Sequence, residues 1–202
     1  VEASQPGWEG GNAVANILFG DVNPSAKLPI TVPRSAGQCP KFYAENLTHQ
    51  PAEDQPKPYS RYWNEEGTPL YPFGYGLSYT TFEYSDLVLE KEKIQLGEEA
   101  VVRFNLSNTG SRAGAEIAQL YIHQRYGSDT RPKRLLKGFT KIDLMPGETR
   151  TIALKLTADD LRYYSSSKKA YVQDETVIDI WVGGNVNAEL HTTLYVGKKE
   201  NK

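Results

Sequence analysis

The sequence predicts a mainly β protein in which a β-sandwich follows a short α/β segment and a long ordered connection. Three observations support this fold class. Apolar and polar residues alternate in several short runs in the carboxy-terminal part of the 202-residue chain. One stretch near the amino terminus has the apolar spacing of an amphipathic helix. Between these regions lies a segment rich in proline, glycine and tyrosine that shows neither periodicity.

The first part of the chain, residues 1–33, contains a predicted helix and a predicted strand. Apolar residues recur at helical spacing in residues 10–19, and Gly20 follows as a stop signal. Residues 27–33 are typical of a short edge strand whose prolines stand at permitted positions. One helix and one strand cannot bury a core by themselves. We therefore interpret this part as the carboxy-terminal end of an α/β domain, and expect it to expose an apolar face unless other polypeptide covers it.

The second part, residues 34–79, is predicted to be an extended linker. Roughly 45 residues without a regular element are far more than a normal connection needs, which favours an ordered, packed segment or a functional loop. Its many aromatic residues argue against disorder, because they need a surface to pack on. Within it, Arg61, Tyr62 and Trp63 are the candidate substrate-binding residues, since such a loop can overhang a binding site. Packing between domains is the alternative role for these three.

The third part, residues 80–202, carries the β signal. Its alternating runs predict strands with one buried and one solvated face. The runs lie at residues 102–107, 118–123, 152–157 and 178–182, with turn signals at 108–110, 145–147 and 183–185. A single helical turn is predicted at residues 158–161. About seven short strands indicate a sandwich of the immunoglobulin or fibronectin type, and the single cysteine, Cys39, favours fibronectin type III because the immunoglobulin disulfide is missing.

Composition excludes several classes of function. The net charge is -2 and the basic residues form no block, which argues against nucleic acid or an anionic membrane as the partner. No stretch approaches the ~20 apolar residues that a membrane span requires. The aromatic content of 11% fits an all-β protein, and it also fits a protein that stacks its rings on sugars.

Few residues are candidates for catalysis or metal binding. Glu9 stands before the predicted helix and is interpreted as a capping or structural carboxylate rather than a catalytic one. The acids at residues 65–66 and 159–160 are adjacent in sequence and cannot face each other across a sugar, so we interpret them as solvated or capping groups. The histidines are far apart, which excludes the usual metal-ligand spacing. The sequence predicts no catalytic residue, metal ion or cofactor in this chain, and the polar loop at residues 124–131 is a further candidate for contact with a catalytic face or a neighbouring subunit.

Three motifs together resemble one enzyme family. The run GGNAVANILFGDVNPSAKLP, residues 10–29, resembles the closing segment of the second domain of glycoside hydrolase family 3. The run YPFGYGLSYTTF, residues 71–82, is similar to the entry to the third domain of that family. RP, LKGF and LMPGE, within residues 131–148, are similar to its fibronectin-like domain. The motifs follow the family's order, and YSRYW at residues 59–63 is most similar to the periplasmic β-glucosidase subgroup.

This resemblance implies a retaining, exo-acting β-glucosidase that hydrolyses terminal non-reducing β-D-glucosyl residues with two carboxylates about 5 Å apart. In the family, the nucleophilic Asp lies in an amino-terminal TIM-type barrel and the acid/base Glu lies upstream in the second domain. Neither motif has a counterpart here. The implied partners are the rest of the same hydrolase and, through it, a β-glucoside or oligosaccharide, and a homodimer is left open. A periplasmic or secreted location is implied, with the signal upstream of this chain.

Three functions follow as alternatives. The first is a structural part that holds the catalytic domains of such an enzyme together. The second is a carbohydrate-binding or interaction sandwich without a catalytic role, although the strand aromatics Tyr121 and Trp181 fall at scattered positions rather than in a row. The third is a complete enzyme, which the missing part of the α/β domain argues against.

Overall fold

Two packed β-sheets make up most of the molecule. The structure is a computed structural model and describes residues 1–46 and 65–198. These residues contain one α-helix, one 3₁₀ helix and ten strands. The elements are α1 (Gly10–Phe19), the 3₁₀ helix (Ala36–Gln38), β1 (Phe82–Leu89), β2 (Lys93–Gln95), β3 (Ala100–Asn108), β4 (Gly114–Gln124), β5 (Leu135–Leu144), β6 (Thr149–Leu156), β7 (Tyr163–Ser165), β8 (Ala170–Val172), β9 (Thr176–Gly183) and β10 (Leu190–Gly197).

The strands form a three-stranded sheet in the order β1–β3–β6 and a five-stranded sheet in the order β2–β10–β9–β4–β5. Neighbouring strands are antiparallel except β2, which runs parallel to β10 at the edge of the larger sheet. β7 and β8 form a separate hairpin. The three predicted turns fall between β3 and β4, β5 and β6, and β9 and β10. The predicted mainly β sandwich is confirmed.

The hydrophobic core lies between the two sheets. Each of the four alternating runs contributes one apolar face to it, as predicted. Leu120 of β4, Ile180 of β9 and Leu106 of β3 have no exposed surface, and Leu156 of β6 is equally buried. Burying a side chain of this size stabilises the fold by about 1.5–3 kcal/mol each. Because the inward residues alternate with outward ones, the same strands also present a second face, which positions the contacts described below.

The helix α1 has the predicted bounds, and Gly20 ends it with a φ of 85°, a left-handed conformation that costs glycine little. Glu9 was predicted to be a capping or structural carboxylate, and of these two roles capping is wrong. Glu9 occupies the N-cap position, but its carboxylate bonds no backbone N–H and instead accepts a hydrogen bond from Asn12 Nδ2 at 2.7 Å. Its backbone, at φ −87° and ψ 11°, lacks the extended conformation that aims a capping side chain at the first free amides.

The strand predicted at residues 27–33 is also wrong. The segment pairs only intermittently with residues 70–75 and bends at residues 29–30. Leu28 donates its N–H to the carbonyl of residue 75 at 2.8 Å, and Val32 forms an isolated bridge to residue 71. The two prolines of the segment have no N–H to donate, so a continuous ladder cannot form.

The described parts of the linker contain one regular element, the short 3₁₀ helix, which agrees with the predicted lack of periodicity. The predicted helical turn at residues 158–161 is confirmed by a hydrogen bond of 3.3 Å from the N–H of Leu161 to the carbonyl of Thr157. Asp160 caps this turn, accepting the N–H of Thr157 at 2.8 Å while its own N–H reaches the Thr157 hydroxyl. No helix in the described residues is long and apolar enough to cross a membrane.

α1 is poorly covered by the rest of the chain, and this leads to a prediction about proteolysis. Only Gly10 of the helix is buried, whereas Leu18 is 62% exposed, Phe19 is 85% exposed and the preceding Trp8 is 99% exposed. A helix with so few buried contacts opens at little free-energy cost. We expect chymotrypsin to cleave the 202-residue chain within residues 1–19 before any bond within residues 82–197. Mass spectrometry of the early fragments checks this, and equal resistance of the two regions would contradict it.

Candidate functional site

Arg61, Tyr62 and Trp63, the predicted substrate-binding residues, lie outside the described residues. The chain on both sides of them is bound to its surroundings. Before them, the carbonyl of Glu45 accepts the N–H of Lys133 at 2.7 Å. After them, the carbonyl of Glu66 accepts the amide of the buried Gln38 at 2.7 Å. The candidate site is therefore built from the contacts between residues 1–79 and the sandwich, which we call the junction.

A buried ion pair lies at the centre of the junction. Lys27 Nζ is 2.9 Å from Glu116 Oε1 and 3.0 Å from Oε2, and the two side chains are only 12% and 5% exposed. Glu116 lies on the same face of β4 as the core residue Leu120, so its carboxylate points toward the end of the sandwich. Tyr84 of β1 donates its hydroxyl to Glu116 at 3.0 Å. Burial, together with the charge of Glu116, raises the pKa of Tyr84 far above its usual range.

Aromatic rings cover the outer face of β4. Tyr121 points away from the core and still has no exposed surface. The ring of Tyr43 meets it edge-on at 6.4 Å between centroids, and Tyr43 stacks on Phe73 at 4.0 Å. The hydroxyl of Tyr121 donates to the side-chain carbonyl of Gln119, whose amide donates to the carbonyl of Gly74 at 3.2 Å. The linker thus supplies a second hydrophobic layer over the sandwich.

Two glycines allow the linker to approach this closely. Gly74 has a φ of 79°, and a Cβ there would overlap the side chain of Gln119. A Cβ at Gly76 would lie 2.5 Å from the carbonyl oxygen of Ala26. The requirement for glycine follows from both conformation and space at Gly74, and from space alone at Gly76.

A second charged cluster lies on the outer face of β9 and β10. Arg125 donates from Nε and Nη2 to the two oxygens of Asp179, both at 2.7 Å, and His191 Nε2 lies 2.8 Å from Asp179 Oδ1. Burial tends to raise the pKa of Asp179, but the hydrogen bonds from Arg125 and His191 outweigh it and hold the pKa below its ordinary value. The carboxylate is therefore ionised at neutral pH, and His191 Nε2 carries the hydrogen of the shared bond.

Asp179→Asn is expected to change how the free energy of unfolding depends on pH under acidic conditions. Because the folded-state pKa of Asp179 is depressed, its ionised form stabilises the fold above the ordinary pKa of 3.8, and this contribution is lost as the pH falls. The variant should be less stable at pH 7 and should lose less stability between about pH 5 and pH 2 than the parent. Urea midpoints across this range measure it. Asp159→Asn, at a side chain that is 82% exposed, is the control, and parallel curves for parent and Asp179→Asn would contradict the prediction.

The junction is suited to holding surfaces together rather than to proton transfer. Glu116 and Asp179 are the buried acids of the described residues, and both are engaged in ion pairs. Among residues 1–46 and 65–198, no group of three or more His, Cys, Asp or Glu side chains is arranged to hold a metal ion. Of the two strand aromatics considered for glycan binding, Tyr121 is buried. Trp181 lies between the guanidinium of Arg134, at 4.3 Å, and the ring of His191, at 5.1 Å.

Sequence reasoning missed the members of the junction. Lys27 lies in a matched motif but carries no local sign of burial. Glu116 did carry a signal, since the period-two pattern of β4 places it on the same face as Leu120. A charged residue on a core-facing position requires a partner, which points to a buried ion pair but not to its second member. The polar loop at residues 124–131 is bound at its middle, where the N–H of Ser128 donates to the hydroxyl of Tyr163 at 2.8 Å.

Comparison with known proteins gives two family matches. Residues 1–79 match the glycosyl hydrolase family 3 C-terminal domain, and residues 116–186 match a fibronectin type III-like domain, which confirms the predicted type of sandwich. The chain is 43% identical over 179 residues to a periplasmic beta-glucosidase of Salmonella typhimurium, covering 88% of this chain and 23% of the relative. It is 39% identical to a beta-xylosidase of Formosa agariphila, covering 94% of this chain and 25% of the relative.

Solved structures agree with these matches. A beta-glucosidase from Listeria innocua in complex with glucose superposes with a TM-score of 0.88 at 34% identity, covering 95% of this chain and 27% of that one. A β-glucosidase from Erythrobacter marinus superposes with a TM-score of 0.85 at 37% identity, covering 93% and 24%. The chain thus spans about a quarter of the length of the relatives that it matches.

Proposed function

Because this chain belongs to glycoside hydrolase family 3, we propose that it is the carboxy-terminal structural part of a retaining, exo-acting β-glucosidase. The enzyme would hydrolyse terminal non-reducing β-D-glucosyl residues, and this part would hold its catalytic domains together. One observation carries the proposal: the buried Lys27–Glu116 pair joins the family's carboxy-terminal segment to the sandwich. A buried ion pair of this kind holds two surfaces in one relative orientation, because any displacement leaves a buried charge without a partner.

Similarity to β-glucosidases from several bacteria supports the choice of substrate. A beta-xylosidase is also among the relatives, and a β-xyloside is therefore the alternative substrate class. The name of the Salmonella relative supports a periplasmic or secreted location for the enzyme.

The role of this chain in the reaction would be positional. Retaining hydrolysis needs a nucleophilic carboxylate and an acid/base carboxylate about 5 Å apart on either side of the glycosidic bond. We assign neither role to this chain, because both of its buried, described carboxylates are neutralised by cations. A junction that fixes the orientation of neighbouring domains keeps the two catalytic groups at their working distance, and small displacements of such groups lower the rate steeply.

The surface that would receive the other domains lies on residues 1–79. Many of the exposed large apolar side chains of the molecule belong to the described residues of this part. They are Val1, Trp8, Leu18, Phe19, Val22, Ile30, Phe42, Leu70, Tyr71, Leu77 and Tyr79. We propose that the remaining domains of the same hydrolase cover this surface.

Activity measurements on the complete hydrolase test the proposal. Removal of residues 82–202 is expected to abolish turnover of an aryl β-glucoside or to prevent soluble expression, and the 202-residue chain alone is expected to be inactive. Since the truncated enzyme can fail to fold, Lys27→Met in the complete enzyme provides a second test, with reduced turnover as the expected result. A truncated enzyme with unchanged turnover and melting temperature would refute the structural role. Hydrolysis by the 202-residue chain alone would refute the proposal that both catalytic carboxylates lie outside it.

A further inference from the structure

A shallow groove lies at the β2–β10 edge of the larger sheet. Its volume is about 640 Å³, within the range of small-ligand sites. Ile94 and Val196 border it, but both are buried members of the core between the sheets. Tyr126 and Tyr195 line it and are 62% and 47% exposed. The groove therefore presents two tyrosine rings that are accessible to a ligand.

The charges that line the groove largely compensate one another. Lys198 forms an ion pair of 3.6 Å with Glu175, and the carboxylate of Glu98 accepts the N–H of Gln95 at 2.9 Å. The lining also includes Lys91 and Lys93, so three amines and two carboxylates border the groove. Such a mixture selects neither an anion nor a cation. It suits an uncharged ligand that carries many hydroxyl groups, each able to donate and accept.

We propose that this groove binds a neutral β-linked oligosaccharide of two or three sugar units. The faces of Tyr126 and Tyr195 would stack on the C–H faces of the pyranose rings, and the polar rim would bind their hydroxyls. Tyrosine suits this role because it offers a large rigid surface at a low cost in conformational entropy. The choice of a β-linked glucan or xylan as ligand rests on the proposed function, whereas the preference for a neutral sugar rests on the groove itself.

A second pair of exposed tyrosines provides a matched control. Tyr164 and Tyr171 lie opposite each other on the β7–β8 hairpin and are 54% and 72% exposed. Their rings meet edge-on, with centroids 5.6 Å apart and an interplanar angle of 75°. This arrangement offers no common flat surface for a sugar. The two pairs are similar in residue type and exposure, but Tyr164 and Tyr171 do not line the groove.

Calorimetric titration of the 202-residue chain with cellotetraose and xylotetraose tests the proposal. We expect millimolar binding of at least one of them, weakened about tenfold by each of Tyr126→Ala and Tyr195→Ala because each removes a stacked ring. Tyr195→Phe should keep the affinity, since the ring face remains. Tyr164→Ala/Tyr171→Ala should bind like the parent. Absence of binding to both sugars, or equal weakening in the hairpin variant, would overturn the proposal.

Aryl β-glucoside turnover by the complete hydrolase separates this proposal from the proposed function. With Tyr126→Ala/Tyr195→Ala, we expect unchanged turnover of this small substrate by the complete hydrolase and lost oligosaccharide binding by the 202-residue chain, which would support the groove. An active hydrolase whose carboxy-terminal chain binds neither sugar would overturn the groove while leaving the proposed function intact. Binding that survives in the double alanine variant would likewise place the ligand elsewhere and overturn it.

Discussion

Lys27→Met is expected to destabilise the chain by about 3–5 kcal/mol, because it leaves the buried carboxylate of Glu116 without its cation. For a chain of this length the loss corresponds to a fall in melting temperature of roughly 6–20 °C. Differential scanning calorimetry measures it. The loss is this large because both side chains are withdrawn from water and the remaining carboxylate is left buried without its cation, whereas breaking an exposed pair of the same chemistry costs far less.

The chain contains a suitable exposed control. Lys155 and Glu99 form an ion pair of 3.1 Å on the surface, with side chains 63% and 54% exposed. Lys155→Met should cost about 0–1 kcal/mol. In the double variant Lys27→Met/Glu116→Leu, no buried charge remains, and most of the lost stability should return. If Lys27→Met costs no more than Lys155→Met, the ion pair does not hold the junction.

Tyr121→Ala is the second change with a large expected effect, a loss of about 3–5 kcal/mol. It removes a fully buried ring from between the sandwich and the linker and leaves a cavity beside Tyr43. It also leaves the side-chain carbonyl of Gln119 without its donor. Chemical denaturation of the variant and the parent gives the difference directly.

Two further substitutions divide this effect into its parts. Tyr121→Phe keeps the ring and removes only the hydroxyl, so it should cost about 1–3 kcal/mol. Tyr171→Ala removes a ring that is 72% exposed and should change stability by less than about 0.5 kcal/mol. A Tyr121→Ala variant as stable as Tyr171→Ala would mean that the linker does not pack on β4.

The parts of the fold that could be predicted from sequence depend on local signals. The end of α1 was predictable because Gly20 itself is the stop signal. The core-facing side of β4 was predictable because apolar residues recur at every second position around Leu120. The prediction for residues 27–33 failed because a strand needs a continuous ladder of hydrogen bonds to a partner, and the two prolines have no N–H to donate to it. Glu9 shows the limit of a residue-type rule, since its capping role depended on a backbone conformation that the sequence does not specify.

The candidate site was less predictable because its members are distant in sequence. The pattern of β4 marks Glu116 as a charge that must be neutralised, but every lysine in the chain is an eligible partner. Lys27 is the partner because tertiary packing places the start of residues 27–33 beside the end of β4 that carries Glu116. The alternating pattern of β4 places Tyr121 on the outer face of the sheet. It is buried only because the linker packs over that face.

The sequence separation of the junction contacts has a consequence for biosynthesis. Lys27 and Glu116 are 89 residues apart, and Asn23 bonds the carbonyl of Ala113 across 90 residues. Translation proceeds at about 5–20 residues per second, so residues 21–33 leave the ribosome roughly 5–20 s before the strand that receives them. During that interval their apolar neighbours are available to chaperones and to other nascent chains, and this segment cannot dock until β4 has been synthesised.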